Sequence, residues 1–395
     1  KTISRQTLKF GGEYRLERVN TKSPGYIAGN FTFDQTFTGQ DPVTIQPSSG
    51  NSIASFLLGT PQSGYINVNS QPARQQNMFS AFTQDDIRLS PRLTINVGLR
   101  WDYMGPMTDR YDALTRGFDT TSASPLQVPG LNLKGGLLYV DKNGQPKGAY
   151  NRNWNNIGPR AGFAYRFNEK TVIRGGYGLF YANIYNDPGN APGFSQQTSM
   201  VTSIQSGVPA DTLTNPFPSG ILQPVGASQG LATNIGQTFS FADPSGKLPY
   251  VQQYSLQVQR ELPFRLLASV GYVGSRSRRL DVTQSINEVS AQSLALGSGQ
   301  LTTSVANPFA GLVPGTSLNG ATIQQQQLLR PFPQFLTLQE QNRPIGKSKY
   351  DGLQLSLAKR MSDLRVSVSY TYSKKSDWTN LANPKYSAVE KVIAK

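Results

Sequence analysis

Three groups of residues in this chain could do chemistry. Asp85 and Asp86 stand side by side, Arg174-Gly175-Gly176-Tyr177-Gly178 is glycine-rich like a phosphate cradle, and arginine recurs at Arg92, Arg100, Arg160, Arg166, Arg174, Arg360 and Arg365. Paired carboxylates bind metal or exchange protons when both reach one centre. Successive strand residues point to opposite faces, so two adjacent aspartates in extended chain cannot converge. They are read as hydrogen-bonded near one rim. A glycine-rich loop holds phosphate when a helix N-terminus follows, and no helical pattern follows Gly178. Those glycines are read as allowing close strand packing or curvature. Histidine and cysteine are both absent. Their absence excludes Ser-His-Asp and Cys-His triads, thiolate metal sites, iron–sulfur clusters and disulfides. The expectation is a non-enzyme with no catalytic residue, no metal and no cofactor.

The elements that must position the arginines repeat in twos. From Arg92 to Tyr103 the sequence RLTINVGLRWDY places Leu93, Ile95, Val97, Leu99, Trp101 and Tyr103 on one face and polar residues or glycine on the other. That is a strand with one apolar side. About a dozen residues is also the length that crosses a bilayer at a tilt. The same alternation marks Leu8 to Leu16, Ile173 to Tyr181, Tyr250 to Val258, Leu266 to Tyr272, Leu353 to Leu357 and Leu364 to Tyr372. Nine strands are predicted, with two more near Tyr26–Phe33 and Tyr65–Asn69.

The connections sort by length. Tight turns at Ser90-Pro91, Asn168-Glu169-Lys170, Leu262-Pro263 and Met361-Ser362-Asp363 alternate with long Gly/Pro/Asn/Ser-rich stretches near 19–76, 105–157, 182–247 and 276–347. Outer-membrane barrels sort loops this way, with short periplasmic turns and long extracellular loops. Ring residues at strand ends (Trp101, Tyr103, Tyr181, Tyr250, Tyr272, Tyr370, Tyr372) suit an interfacial girdle. The other reading of the alternation is a soluble all-β protein with one buried and one wet face. Only 15% of the 395 residues are charged, yet the net charge is +15. Such a balance suits an anionic membrane surface, acidic ligands or nucleic acid. The charge is scattered by alternation and comes with no recognition helix or stacking platform, so no nucleic-acid partner is expected. No run of 18 apolar residues marks a transmembrane helix. The chain opens at Lys1 with no signal peptide, as a mature or excised piece would.

Several stretches also resemble a known family. LKFGGEYRL (8–16), ASFLLGTP (54–61), FTQDDIRLSPRLTINVGLRWDY (82–103), NNIGPRAGFAYRF (155–167), TVIRGGYGLFY (171–181) and PYVQQYSLQVQREL (249–262) are similar to the barrel of TonB-dependent receptors, in the Oar-like branch. VGYVGSRSRRL (270–280), RPFPQF (330–335) and YDGLQLSLAKR with VSYTYSKKSD to Asp377 continue the likeness in order. The resemblance implies an all-β, antiparallel transmembrane barrel of about 22 strands in the bacterial outer membrane, filled by a plug. It implies import of a scarce or bulky solute with energy from the TonB complex. Plug, TonB box, regulatory domain and closing strands are not recognisable in this sequence. A barrel segment is therefore expected over 1–377 and a tail of unclear assignment over 378–395. Open strand edges cannot face lipid, so a longer polypeptide or a completing chain must supply the missing strands. The runner-up role is a structural or adhesive surface protein, anchored by the barrel and making contacts through its loops.

Candidate sites follow from this frame. The seven arginines would line the lumen, either as a positive field for anionic solutes or as partners of nearby carboxylates. Arg276, Arg278 and Arg279, just past a strand ending near Gly274, would bind phosphates of lipopolysaccharide or simply form a solvated loop base. Tyr111, Trp154, Tyr185 and Phe194 are loop rings suited to capture of sugars, peptides or apolar ligands, or to packing of loop on loop. NPF at 215–217 and 307–309 reads as a turn element.

Overall fold

The computed structural model describes residues 2–3, 5–41, 46, 48–182, 191–205, 208–360, 365–378 and 392–394. Nine long strands form its wall. They are β1 (Gln6–Asn20), β2 (Ala73–Ser90), β3 (Leu93–Met104), β4 (Ile157–Asn168), β5 (Thr171–Tyr181), β6 (Tyr250–Leu262), β7 (Leu266–Ser285), β8 (Leu338–Arg360) and β9 (Arg365–Trp378). They pair antiparallel in sequence order, each with the next. Strict order follows from the loops, since each tight turn can only return the chain beside itself.

Register carries the alternation from strand to strand, with irregularities confined to the strand ends and the upper part of β7. On one face Leu8 meets Asp85, which meets Val97, and Ala161 meets Tyr177, which meets Tyr254. Further along, Leu256, Tyr272, Leu353 and Tyr372 lie in one row. Those apolar side chains are open: Phe10 is 74% exposed, Leu256 51% and Tyr372 69%. An apolar sheet face that the chain itself does not cover requires an apolar solvent. As expected of neighbouring strand residues, Asp85 and Asp86 part company. Asp86 on the polar face accepts from Lys9 Nζ at 2.8 Å, Asn96 Nδ2 at 2.6 Å and Gln84 Nε2 at 3.1 Å.

Two strands run further than the alternation suggested. β7 continues to Ser285 instead of ending near Gly274, and β8 begins at Leu338. Arg276 and Arg278 therefore lie inside a strand. Alternation hides this extension, because Arg276, Arg278, Lys347 and Lys349 fill the positions that leucine and tyrosine fill lower down. The two extra strands exist as Asn30–Thr32 and Ser63–Asn69, but not in the wall. They form a small sheet with Ser195–Ser199.

The buried core lies in the long connections. Leu137 and Tyr139 from the β3–β4 connection, Phe239 and Phe241 from β5–β6, and Phe332 and Phe335 from β7–β8 pack together with Leu338 of β8. A second cluster joins Val128 and Leu133 to Phe309, Val313, Leu318 and Ile323. Asn307 of the second NPF accepts from the Phe309 amide at 3.0 Å, a side-chain-closed turn that drives the fully buried Phe309 inward. The connections thus form a packed cap. Burial pushes the Tyr139 phenol up to about 12, and its hydroxyl donates to the Pro192 carbonyl at 3.0 Å. A β-carbon on Gly136 would collide with the Leu231 carbonyl and lie 2.6 Å from the Leu231 Cα, which is backbone that cannot swing aside. Gly136→Ala is expected to cost about 1–3 kcal/mol of cap stability. Limited proteolysis should find the cap cut faster while membrane insertion of the barrel is unchanged.

Candidate functional site

The wall offers two places where polar chemistry gathers. The first is on the polar face of β1 to β5. Arg100 donates from Nε to Asp102 at 2.9 Å and from Nη2 to Ser80 Oγ at 2.9 Å, with Glu13 at 3.9 Å. Arg15 pairs with Glu13 at 2.8 Å. The Arg160 guanidinium lies over the Phe180 ring, 4.6 Å from its centroid. These groups line a hollow of about 270 Å³. A half-desolvated arginine needs such partners, since an unpaired charge there costs several kcal/mol.

The remaining lumen candidates are dispersed. Arg174 donates to Gln259 Oε1 at 3.1 Å, and Arg166 stands on the same face, in register with Val172. Arg92 is exposed in the β2–β3 turn, outside the strand. Arg360 and Arg365 pair with each other in register at the turn end, and their side chains lie outside the described residues. Glycines of the Arg174–Gly178 run seat rings: Gly175 lies under Phe163 and Gly178 against Phe180. The whole run is strand.

The second place is the rim, where β1 and β2 end at the cap. Here a cavity of about 930 Å³ opens between the end of β1, the start of β2, residues 108–113 and Phe194. Its frame is the buried Asp109. That carboxylate accepts from the amides of Ala73 at 2.8 Å, Tyr111 at 2.8 Å and Ala113 at 3.2 Å, which pins residues 108–113 across the start of β2. Three exposed cations face the opening: Arg18, Lys22 and Arg110. Arg18 is held by a 3.0 Å hydrogen bond to Gln75, and Arg110 lies 5.9 Å from the Tyr111 ring centroid. The result is a positive, ring-lined basin.

The four loop rings do not share one site. Tyr111, 63% exposed, and Phe194 both line the rim cavity. Phe194 also packs edge-on against Tyr139 at 5.9 Å, tying cavity to cap. Trp154 stacks on Tyr103 at 3.8 Å and lies parallel to Trp101 at 6.0 Å, where it fixes the β3–β4 connection to the wall. Tyr185 lies outside the described residues. Of the three-arginine cluster, Arg276 and Arg278 share the apolar face of β7, while Arg279 sits at a bulge with φ 56° and lies 5.4 Å from the Tyr250 ring centroid. Sequence reasoning missed Arg18, Lys22 and Arg110. They come from segments ninety residues apart, and nothing local in either segment marks a basin.

The family model of an outer membrane beta barrel domain matches residues 1–392. No curated protein matches the sequence. Among solved structures, the chain is similar to the siderophore receptor PirA from Acinetobacter baumannii at 11% identity, with 99% of this chain and 44% of that one covered and a TM-score of 0.42. It is similar to the FrpB iron transporter from Neisseria meningitidis (F5-1 variant, apoprotein form) at 11% identity, covering 98% of this chain and 37% of that one, TM-score 0.38. For the alcaligin outer-membrane receptor FauA from Bordetella pertussis the figures are 15% identity, 80% and 35% coverage, and TM-score 0.31. The chain spans less than half the length of these proteins.

Proposed function

The chain belongs to the outer membrane beta barrel domain family, and from that premise we propose that it is the capturing part of an importer for a bulky anionic solute. Its place is the bacterial outer membrane, and the family is one of membrane barrels rather than enzymes. The observation that carries the reading is the rim cavity of about 930 Å³ with Arg18, Lys22 and Arg110 at its mouth and Tyr111 and Phe194 in its wall. Cations clustered around a cavity with low-dielectric walls concentrate anions, and rings give apolar or sugar faces a surface to lie on. Passage would follow rearrangement of a plug driven through TonB, as the resemblance in the sequence implies.

The test uses the parent bacterium with the full-length gene, its deletion, and the gene carrying Lys22→Glu with Arg110→Glu. Accumulation of labelled acidic oligosaccharides and peptides is measured with and without a protonophore. Expected are loss of accumulation on deletion and on collapse of the proton gradient, and at least a tenfold rise in half-saturation for the charge-reversed pair. Surface retention that needs no energy and yields no accumulation would sink the import reading. It would favour the second one, a surface protein that makes contacts through its loops. The short helix Ser52–Leu57 and the residue after it favour that alternative, with Ile53 65%, Phe56 57%, Leu57 77% and Leu58 66% exposed.

A further inference from the structure

We propose that the outer face of β7, β8 and β9, at its cap-side edge, binds the phosphate of an outer-leaflet glycolipid. Register places Arg276 beside Lys349 and Arg278 beside Lys347, with Lys374 beside Asp351. All share the face of Val270, Leu353, Leu355 and Tyr370, which is the face turned to lipid. Like charges directly opposite on neighbouring strands repel, and here two such pairs stand one above the other. Asp351 is the one carboxylate among these six residues. It accepts from Arg276 Nη2 at 2.8 Å and lies 3.2 Å from Lys349 Nζ. Arg278, Lys347 and Lys374 add three further positive charges beside it. Between β8 and β9 lies a hollow of about 200 Å³ lined by Lys349, Asp351, Lys374, Ser376 and Trp378. It suits one phosphate group, with a lysine on either side.

The height of the cluster selects the ligand's source. Arg276 stands ten residues along β7 from Leu266 at the turn end. At roughly 3.3 Å per residue and a tilt near 40°, that is about 25 Å, the height of the apolar band of such barrels. Tyr272, Tyr370 and Tyr372 lie just below on the same face, so the cations emerge at headgroup level. A phosphate held there leaves its acyl chains against Leu353, Leu355 and Tyr370. The two ammonium groups flanking the hollow favour a doubly charged phosphate monoester over a singly charged carboxylate, through point-charge hydrogen bonds. This site does not depend on the import reading.

The test is native mass spectrometry of the complete protein released from nanodiscs containing bisphosphorylated lipid A or its dephosphorylated form. Expected is retention of bisphosphorylated lipid A at least tenfold above the dephosphorylated form, falling tenfold in Lys349→Gln/Lys374→Gln. Millimolar inorganic phosphate should not displace it. Equal retention of both lipids by the unaltered protein overturns the proposal, whether or not the variant assembles. So does displacement by inorganic phosphate, which would make this a free-anion site, and so does a folded double variant that retains as much lipid as the parent.

Discussion

Leu355→Arg is expected to cut assembly of the barrel severalfold, while Gln354→Arg, one residue away, leaves it intact. Leu355 lies in register with Val270 and Tyr370 on the outer face, and Gln354 with Gly271 and Thr371 on the inner one. Five residues separate Leu355 from the turn end of β8. At about 3.3 Å per residue and a tilt near 40°, it falls close to the middle of the hydrocarbon. An arginine there costs about 2–4 kcal/mol, whereas a lumen arginine stays in water. The folded fraction, read as heat-modifiable mobility and as recovery in the outer membrane, should fall severalfold for the first variant only. Equal recovery of the two variants would mean that the faces have been assigned the wrong way round, or that this sheet does not meet lipid.

That contrast rests on the part of the fold that was legible in the sequence. Alternation fixes which residues share a face because strand side chains have a period of two, and Leu353, Leu355 and Leu357 need no tertiary information to be read. Loop sorting was equally legible, since a tight turn and a fifty-residue connection differ at a glance. The upper halves of β7 and β8 were not. There the outer positions hold Arg276, Arg278, Lys347 and Lys349, so a rule that seeks apolar alternation ends the strand where the membrane ends. The cap was illegible for another reason. Phe239, Phe332 and Phe335 lie in stretches with no period, and only tertiary contact shows that they meet. The rim cavity is illegible in the same way, while two of its rings, Tyr111 and Phe194, were visible as loop aromatics. Among the seven arginines, Arg100 is paired to Asp102 and Arg160 is set on a ring.

Excising residues 182–247, with Leu248 and Pro249 replaced by Asn-Gly, should leave a membrane-inserted barrel that no longer captures its solute. Tyr181 and Tyr250 are direct partners at the ends of β5 and β6, so a two-residue Asn-Gly turn can join them without shifting register. The wall keeps every one of its strand pairs. The cap does not survive, because Phe194, Phe239 and Phe241 leave Phe118, Leu137, Tyr139, Phe332 and Phe335 without their packing partners. Each buried phenylalanine lost costs about 3–5 kcal/mol, more together than a packed set of loops can hold in reserve. The strand Phe239–Ala242 also goes, and with it the parallel pairing that holds the first residues of β8. Proteases should then cut within 105–156 and 286–337, and solute binding at the rim should fall to background because Phe194 no longer closes the cavity. Failure to insert would show that the excised segment guides barrel assembly. Undiminished solute binding would move the capture site away from the rim, to the lumen face of Arg100 and Arg160.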